Sequence, residues 1–381
     1  MTKKNYNNMG NYFGFLLIIL VFLFANAPIS SSQDFDIRGR VHMDAFIGLN
    51  NADDFQNGFN NRRARLGVNG QVIENWDGRI EVDFADGGVS PNDFRLRRRF
   101  SDGSRLWIGQ YKVPQGLNEL TSSNNITFIE RATNSNMIAD SRRMGLAYER
   151  FGRALGFKSM IFGRALGQRG DITGDMPLGG AFRGVFAPEI GSGRLHIGGS
   201  VVYESLMDQT IIGFSDRPEA RDSGGGKSLI GLQINTPDLE GSFKSGLELA
   251  LMHGPLSLEA EYLMVNVLMD EGDSPLFHGW HVQSNYVLTG ESRAYSSGGF
   301  GTITPQNGRA LEIAARFSHM NLNDSGYMGG KQSNLTLALN CYLASNLRFM
   351  ANVIFVDIST RGNGTGDRTP VIGVLRSQFH F

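Results

Sequence analysis

An all-β, transmembrane antiparallel β-barrel of sixteen strands, with one loop folded inward, is the fold class this sequence predicts. Three observations carry it. Apolar and charged residues alternate with a period of two along most of the chain, the chain ends on Phe381 inside one such run, and residues 1–32 have the build of an export signal. The period of two places apolar side chains on one face of a strand and charges on the other.

The signal is read from Lys3 and Lys4, the apolar core Phe13–Phe24 and the small residues up to Ser30-Ser31-Ser32. That core is shorter than the ~20 residues a spanning helix needs, so cleavage is expected, leaving residues 33–381 as the barrel. Pro28 disfavours cleavage after Ala25-Asn26-Ala27, and the serine run before Gln33 is the expected boundary. A hydrophobic fraction of 41% and a mean hydropathy of −0.20 would suit a soluble protein. A barrel in lipid averages the same way, because lipid-facing and lumen-facing residues alternate. Abundant Gly (49), scarce Pro (11) and frequent Phe (26) suit many turns and aromatic girdles. The lone Cys341 excludes an intramolecular disulfide and a cysteine-rich metal site. A net charge of −1, or −3 once Lys3 and Lys4 leave with the signal, argues against nucleic acid as a partner. No cofactor or metal is expected.

The alternation is clear in Asp36–Leu49, where Ile37, Val41, Met43 and Ala45 interleave with Arg38, Arg40, His42 and Asp44. Arg62–Val72 and Asp77–Asp86 repeat it, with Ala64, Leu66 and Val68, then Ile80, Val82 and Phe84, on the apolar face. Similar runs follow at Asn92–Phe100, Arg105–Lys112, Arg143–Arg150, Leu155–Gly163, Phe182–Pro188, Arg194–Glu204, Ser228–Thr236, Phe243–Met252, Leu256–Val267, Trp280–Thr289, Ala310–Met320, Ser333–Leu343, Leu347–Ile358 and Pro370–Phe381. Seventeen runs are one too many for a bacterial single-chain barrel, which uses an even number. A soluble sandwich would also alternate, but here the polar face carries too many arginines and acids for a solvated exterior. In the last run Phe379, Leu375 and Val371 share one face and His380, Gln378 and Arg376 the other. A terminal aromatic residue in an amphipathic strand resembles the assembly signal of bacterial outer-membrane proteins, which makes the barrel-assembly machinery and outer-membrane lipid expected partners.

One break in the alternation stands apart. Gly109–Arg131 starts as a strand, stops at Pro114 and Gly116, and continues through polar residues to Glu130-Arg131. A connection this long is unusual in a compact fold. Residues 113–140 are therefore expected to fold into the barrel mouth as a constriction.

Arginine outnumbers lysine 29 to 7, with Arg38, Arg40, Arg63, Arg65, Arg79, Arg95, Arg97 and Arg99 on the inward face of early strands. Guanidinium groups stay charged and present a fork of donors to carboxylates and phosphates. Down a pore wall they favour anions, unless Asp44, Glu81, Asp83 and Glu149 pair them off. Enzyme signatures are poor. Gly224-Gly225-Gly226-Lys227-Ser228 has Arg221 where a phosphate-binding loop needs its first glycine, and neither HExxH nor GxSxG occurs. Ser318-His319 fits a strand-end girdle better than a catalytic pair, Asp270-Glu271-Gly272-Asp273 fits a solvated loop, and Cys341 shares the lipid-facing side of Leu337, Leu339 and Leu343.

Several stretches, in order along the chain, resemble the phosphate-selective porin O and P family. They include Arg62-Arg63-Ala64-Arg65, Glu81-Val82-Asp83-Phe84, Gly109-Gln110-Tyr111-Lys112, Thr121-Ser122-Ser123, Phe128-Ile129-Glu130-Arg131, Phe182–Pro188, Tyr286–Glu291 and Leu375–Phe381. The resemblance implies a sixteen-stranded barrel, a homotrimer in the bacterial outer membrane, and an inward loop whose lysines flank the TSS motif in phosphate-selective members. Here Glu119 and Asn124 stand where such members carry lysine. The expected function is passive diffusion of small polar or anionic solutes, with phosphate selectivity at most modest. Arg63, Arg65, Arg79, Arg95, Arg97, Arg99, Lys112 and Arg131 are the expected pore-lining cations, moderated by Glu119 and Asn124. The alternative is a closed barrel with a structural or adhesive role.

Overall fold

The computed structural model describes residues 35–166, 177–206, 209–360 and 367–381, so the expected signal lies outside the described residues. Among the described residues sixteen antiparallel strands form the wall. They are β1 Phe35–Asn50, β2 Gly58–Ile73, β3 Trp76–Asp83, β4 Ser90–Arg99, β5 Arg105–Lys112, β6 Arg142–Phe151, β7 Leu155–Phe162 and β8 Gly179–Phe186. The wall continues with β9 Gly193–Ser205, β10 Leu239–His253, β11 Leu256–Met269, β12 Leu276–Val287, β13 Ala310–Asp324, β14 Tyr327–Ala344, β15 Leu347–Ser359 and β16 Val371–His380. Each strand pairs with its sequence neighbours, and β1 pairs with β16 from Arg40↔His380 to Asn50↔Val371. Closure leaves no row of unpaired backbone groups facing lipid, where each would be costly.

Alternation sorts the side chains as the sequence predicts. On β16, Leu375 and Phe379 lie on the exposed outer face while Arg376 and Gln378 are buried inside. Cys341 sits between outward Leu339 and Leu343 on β14. The chain end is seated at the seam: Gly39 and Phe381 exchange two backbone hydrogen bonds of 3.0 Å. A Cβ on Gly39 would meet the Phe381 ring at 2.4 Å, so the glycine makes room for the terminal aromatic ring.

The run Ser228–Thr236 is not a wall strand. Ile230–Asn235 pairs instead with Ile211–Asp216 in a separate hairpin. Its apolar side packs into the outer end of the barrel, with Phe214, Leu229, Ile230 and Ile234 in one cluster with Val265, Val267, Phe277, Met320, Leu322, Ile354 and Val356. The inward face of the strands is thus polar at mid-height but apolar near the outer end of β11–β16, where it forms a core of the kind a soluble domain has. A strand that packs on such a core shows the same period as one facing lipid, which explains the extra run.

Strand length is uneven. β3, β5, β7 and β8 have eight residues each, whereas β10–β15 have between twelve and eighteen. Most connections at the end that holds Phe381 are short, including 74–75, 152–154, 254–255 and 345–346. Short turns mark the periplasmic side of outer-membrane barrels. A β-bulge breaks the β1–β2 register between His42 and Met43, where Arg63 faces His42 and Asn61 faces Met43. The extra residue, Arg62, turns its guanidinium inward beside that of Arg63, as a bulge allows.

Candidate functional site

Residues 113–141 leave the wall after β5 and return at β6. Val113 N–H donates to Ser141 O (3.0 Å) and closes the base of the loop. Gly116 turns the chain at φ 72°, in the left-handed region open to glycine, and a Cβ there would meet the Glu261 carboxylate. Two short helices follow, α1 Leu117–Leu120 and α2 Thr133–Ile138. Glu259 and Glu261 of β11 hold both: Asn118 donates Nδ2–H to Glu259 Oε1 (2.9 Å), and Ser135 Oγ–H donates to Glu261 Oε1 (2.8 Å).

Between the helices the loop makes a turn, in which Asn125 N–H and Ile126 N–H donate to Ser122 O (2.8 and 3.1 Å), and side chains from outside the loop donate to most of its other carbonyls. Gln378 donates to Asn124 O (3.0 Å), Arg348 to Ile126 O (3.0 Å), Asn340 to Thr127 O (2.8 Å) and Arg316 to Glu130 O (3.0 Å). Arg376 donates to Ile129 O, and Arg293 to Asn125 O. Arg293 belongs to connection 288–309, which rises into the lumen from the periplasmic end. There Tyr295 pairs with His196 (2.6 Å), Arg183 donates to Gly298 O (2.8 Å), and Phe300 packs on Leu117, Ala250 and Met252. Loop, hairpin and periplasmic connection together fill the lumen along the tall strands.

The space left runs along β1–β7, which include the short β3, β5 and β7. A cavity of about 460 Å³ is lined by ten cations, Arg40, Arg62, Arg63, Arg65, Arg79, Arg95, Arg131, Arg142, Lys112 and Lys158, and by two acids, Asp93 and Glu119. Towards the periplasm it adjoins a second cavity of about 540 Å³ that shares Arg79 and Arg95 and adds Arg38, Arg97 and Arg99. Carboxylates on this wall are shared. Glu81 pairs with Arg40 (3.2 Å), Arg65 (3.5 Å) and Arg79 (2.6 Å). Asp77 pairs with Arg95, Arg97 and Arg99, Asp93 with Arg79 and Arg142, and Asp83 with Arg65. Seven arginines thus rest on four carboxylates. Trp107 lies between Arg95 (4.3 Å) and Lys158 (4.0 Å), and its Nε1–H is buried without an acceptor in the described protein.

The expected site residues fall into four groups. Arg65, Arg79, Arg95, Arg97 and Arg99 line the two cavities. Arg63 borders the cavity but is largely buried, with Nη1 donating to His42 (3.4 Å) and Glu130 nearby (3.7 Å). Arg131 is a staple of the loop, donating to Asn118 O (2.9 Å) and Thr121 O (2.8 Å). Lys112 and Arg131 both hold Glu119, at 3.1 and 3.0 Å. Burial works against the charge on Glu119, but these cations outweigh it and hold its carboxyl below the ordinary range. Glu130 is held well below that range despite burial, by Arg62, Arg63 and Arg376. Asn124 lies off the cavity, accepting from His42 Nε2 (3.1 Å). Arg62, Arg142, Lys158 and Trp107 were missed by the sequence. Lys158 and Trp107 alternate inward on strands that were recognised, whereas Arg62 is inward only because of the bulge.

A closed barrel with a cation-lined passage beside an inward loop defines an outer-membrane channel of the porin class. The chain belongs to the family "Phosphate-selective porin O and P", whose model matches residues 35–381. It is 26% identical over 365 residues to Porin O of Pseudomonas aeruginosa, covering 84% of this chain and 81% of that one. It is 27% identical over 349 residues to an uncharacterized protein of Caulobacter vibrioides, covering 86% of this chain and 69% of that one. In fold it is similar to OmpT of Vibrio cholerae in its loop L8 deletion form (TM-score 0.60, 12% identity, 92% of this chain and all of that one). An anion-selective porin from Comamonas acidovorans is also similar (TM-score 0.56, 12% identity, 92% and 100%).

Proposed function

We propose that this channel passes small polar solutes with a preference for anions and has no dedicated phosphate filter. The observation that carries the reading is the shared-carboxylate strip, on which Arg40, Arg65, Arg79, Arg95, Arg97, Arg99 and Arg142 outnumber Glu81, Asp77, Asp83 and Asp93. A cleft lined by one sign of charge concentrates the opposite ion. Glu119 tempers this by occupying Lys112 and Arg131, the cations beside the Thr121-Ser122-Ser123 motif. The reading includes a homotrimer, as one form of OmpT from Vibrio cholerae is a trimer. It also includes export through residues 1–32 and delivery to the assembly machinery by Phe381. Purified trimer in planar bilayers under a KCl gradient tests it: a reversal potential on the anion side is expected, with weak block by phosphate. A cation-side potential defeats it.

The closed-barrel reading has one observation in its favour, the filling of the lumen from both ends by 113–141 and 288–309. Folded trimer that inserts without conductance steps would favour it.

A further inference from the structure

The segment after Ile211–Asp216 crosses the outer mouth of the barrel as a strap. At the far side Asp222 accepts from Gln56 N–H (3.0 Å) and Ser223 Oγ–H donates to Gln56 O (2.9 Å). At the near side Glu219 takes a left-handed conformation (φ 57°) that disfavours a non-glycine residue, and its side chain drops into the lumen fully buried. There its Oε2 accepts from Arg316 through Nε (3.0 Å) and Nη2, and from Thr336 Oγ–H (3.0 Å). Its Oε1 accepts from Ser318 Oγ–H (2.6 Å), from Thr133 N–H (3.1 Å) and from Thr133 Oγ–H (3.4 Å).

We propose that Arg316, Ser318, Thr336 and Thr133 form a second oxyanion site in the lumen, kept occupied by the chain's own Glu219 carboxylate as a displaceable stopper. The donors come from β13, β14 and α2, none of them part of the strap. Arg316 is also held without Glu219: Nη1 donates to Glu130 O (3.0 Å), and the guanidinium lies 4.3 Å from the Phe128 ring. The pocket therefore keeps its shape when the carboxylate leaves, and a buried guanidinium left unpaired draws an anion from water. An approach exists. Glu219 borders a cavity of about 130 Å³ with Arg217, Asn136 and Arg62, and the last two also line the main passage. Small carboxylates and phosphate share the planar or tetrahedral oxygens this donor set fits. The proposal does not depend on which ion the arginine strip prefers.

The test uses full-length trimer with Glu219→Gly, which suits the left-handed backbone, and Glu219→Gln, which keeps the shape without the charge. In KCl, Glu219→Gly is expected to raise single-channel conductance by roughly 1.5-fold or more. Acetate should return it towards the wild-type level while leaving wild type unchanged, and inorganic phosphate should lower it by more than its weak block of wild type. The same anions should slow tryptic cleavage of the strap at the exposed Lys227 in the variant. Unchanged conductance, or an acetate effect equal in wild type and variant, overturns the proposal. So does failure of both variants to fold, because Glu219 would then be part of the barrel's framework and not a stopper.

Discussion

Glu119 stands where two cations of the passage would otherwise be open to a solute, with Lys112 and Arg131 each about 3 Å away. Glu119→Gln releases both, and an approximately two-fold rise in the anion-to-cation permeability ratio is expected from one unit charge at a narrow point, read as a shift in reversal potential. Arg376 is the opposite case. It is buried between Asp44 (2.6 Å) and Glu130 (2.9 Å) and also donates to the loop backbone. Arg376→Met leaves the buried Asp44 carboxylate without its cation and takes one of three cations from Glu130, at a cost of about 3–5 kcal/mol. The expected result is a lower urea midpoint for protease protection of the inner loop. At this scale the sequence exposed the strip of arginines because each sits on an alternating strand. It did not expose which arginines conduct and which hold the loop. That division depends on where 113–141 lies, and Arg316, Arg348 and Arg376 alternate as regularly as Arg65 and Arg79.

The inner loop is held mainly by carboxylates and wall donors, so its response to acid follows from the groups it uses. Glu119 and Glu130 have depressed folded-state pKa values, so their stabilising effect is complete above the ordinary carboxyl value of 4.5 and is lost as pH falls through the depressed values. The contributions of Glu119 and Glu130 to selectivity and to the loop's anchoring are therefore expected to stay level from pH 7 to about 5 and to fall only well below 4.5. Bilayer recordings of wild type and Glu119→Gln across that range check this, and a difference between the two that changes near pH 6 would contradict it. The loop was legible in the sequence because Pro114 and Gly116 stop the strand and no new alternation starts before Arg142. The hairpin was not, because Ile230, Leu232 and Ile234 alternate as any wall strand does. The periplasmic connection, with Arg293, Tyr295 and Phe300, carries no period at all, and its path inward is set by partners distant in sequence.

The molecule as a whole is divided lengthwise. Strands β1–β7, among them the short β3, β5 and β7, border the charged passage, and tall strands β10–β15 carry the packing that fills the rest. Reversing the strip should therefore reverse the channel: Arg65→Glu with Arg95→Glu is expected to move the reversal potential to the cation side without loss of folded trimer on gels. The same double change leaving selectivity intact would place the conducting path elsewhere. Closure and strand order were legible because every wall strand declares its two faces. The lengthwise division was not, because it arises from loops meeting in the lumen. The interior core formed by Phe214, Ile230, Ile234, Val265, Phe277, Met320 and Ile354 makes this barrel resemble a soluble domain wrapped in its own membrane wall. Such a core can open as a cooperative unit of its own. Amide exchange along Ile211–Asp216 and Ile230–Asn235 should then be slow and collective, ending in one step while the surrounding strands keep their protons.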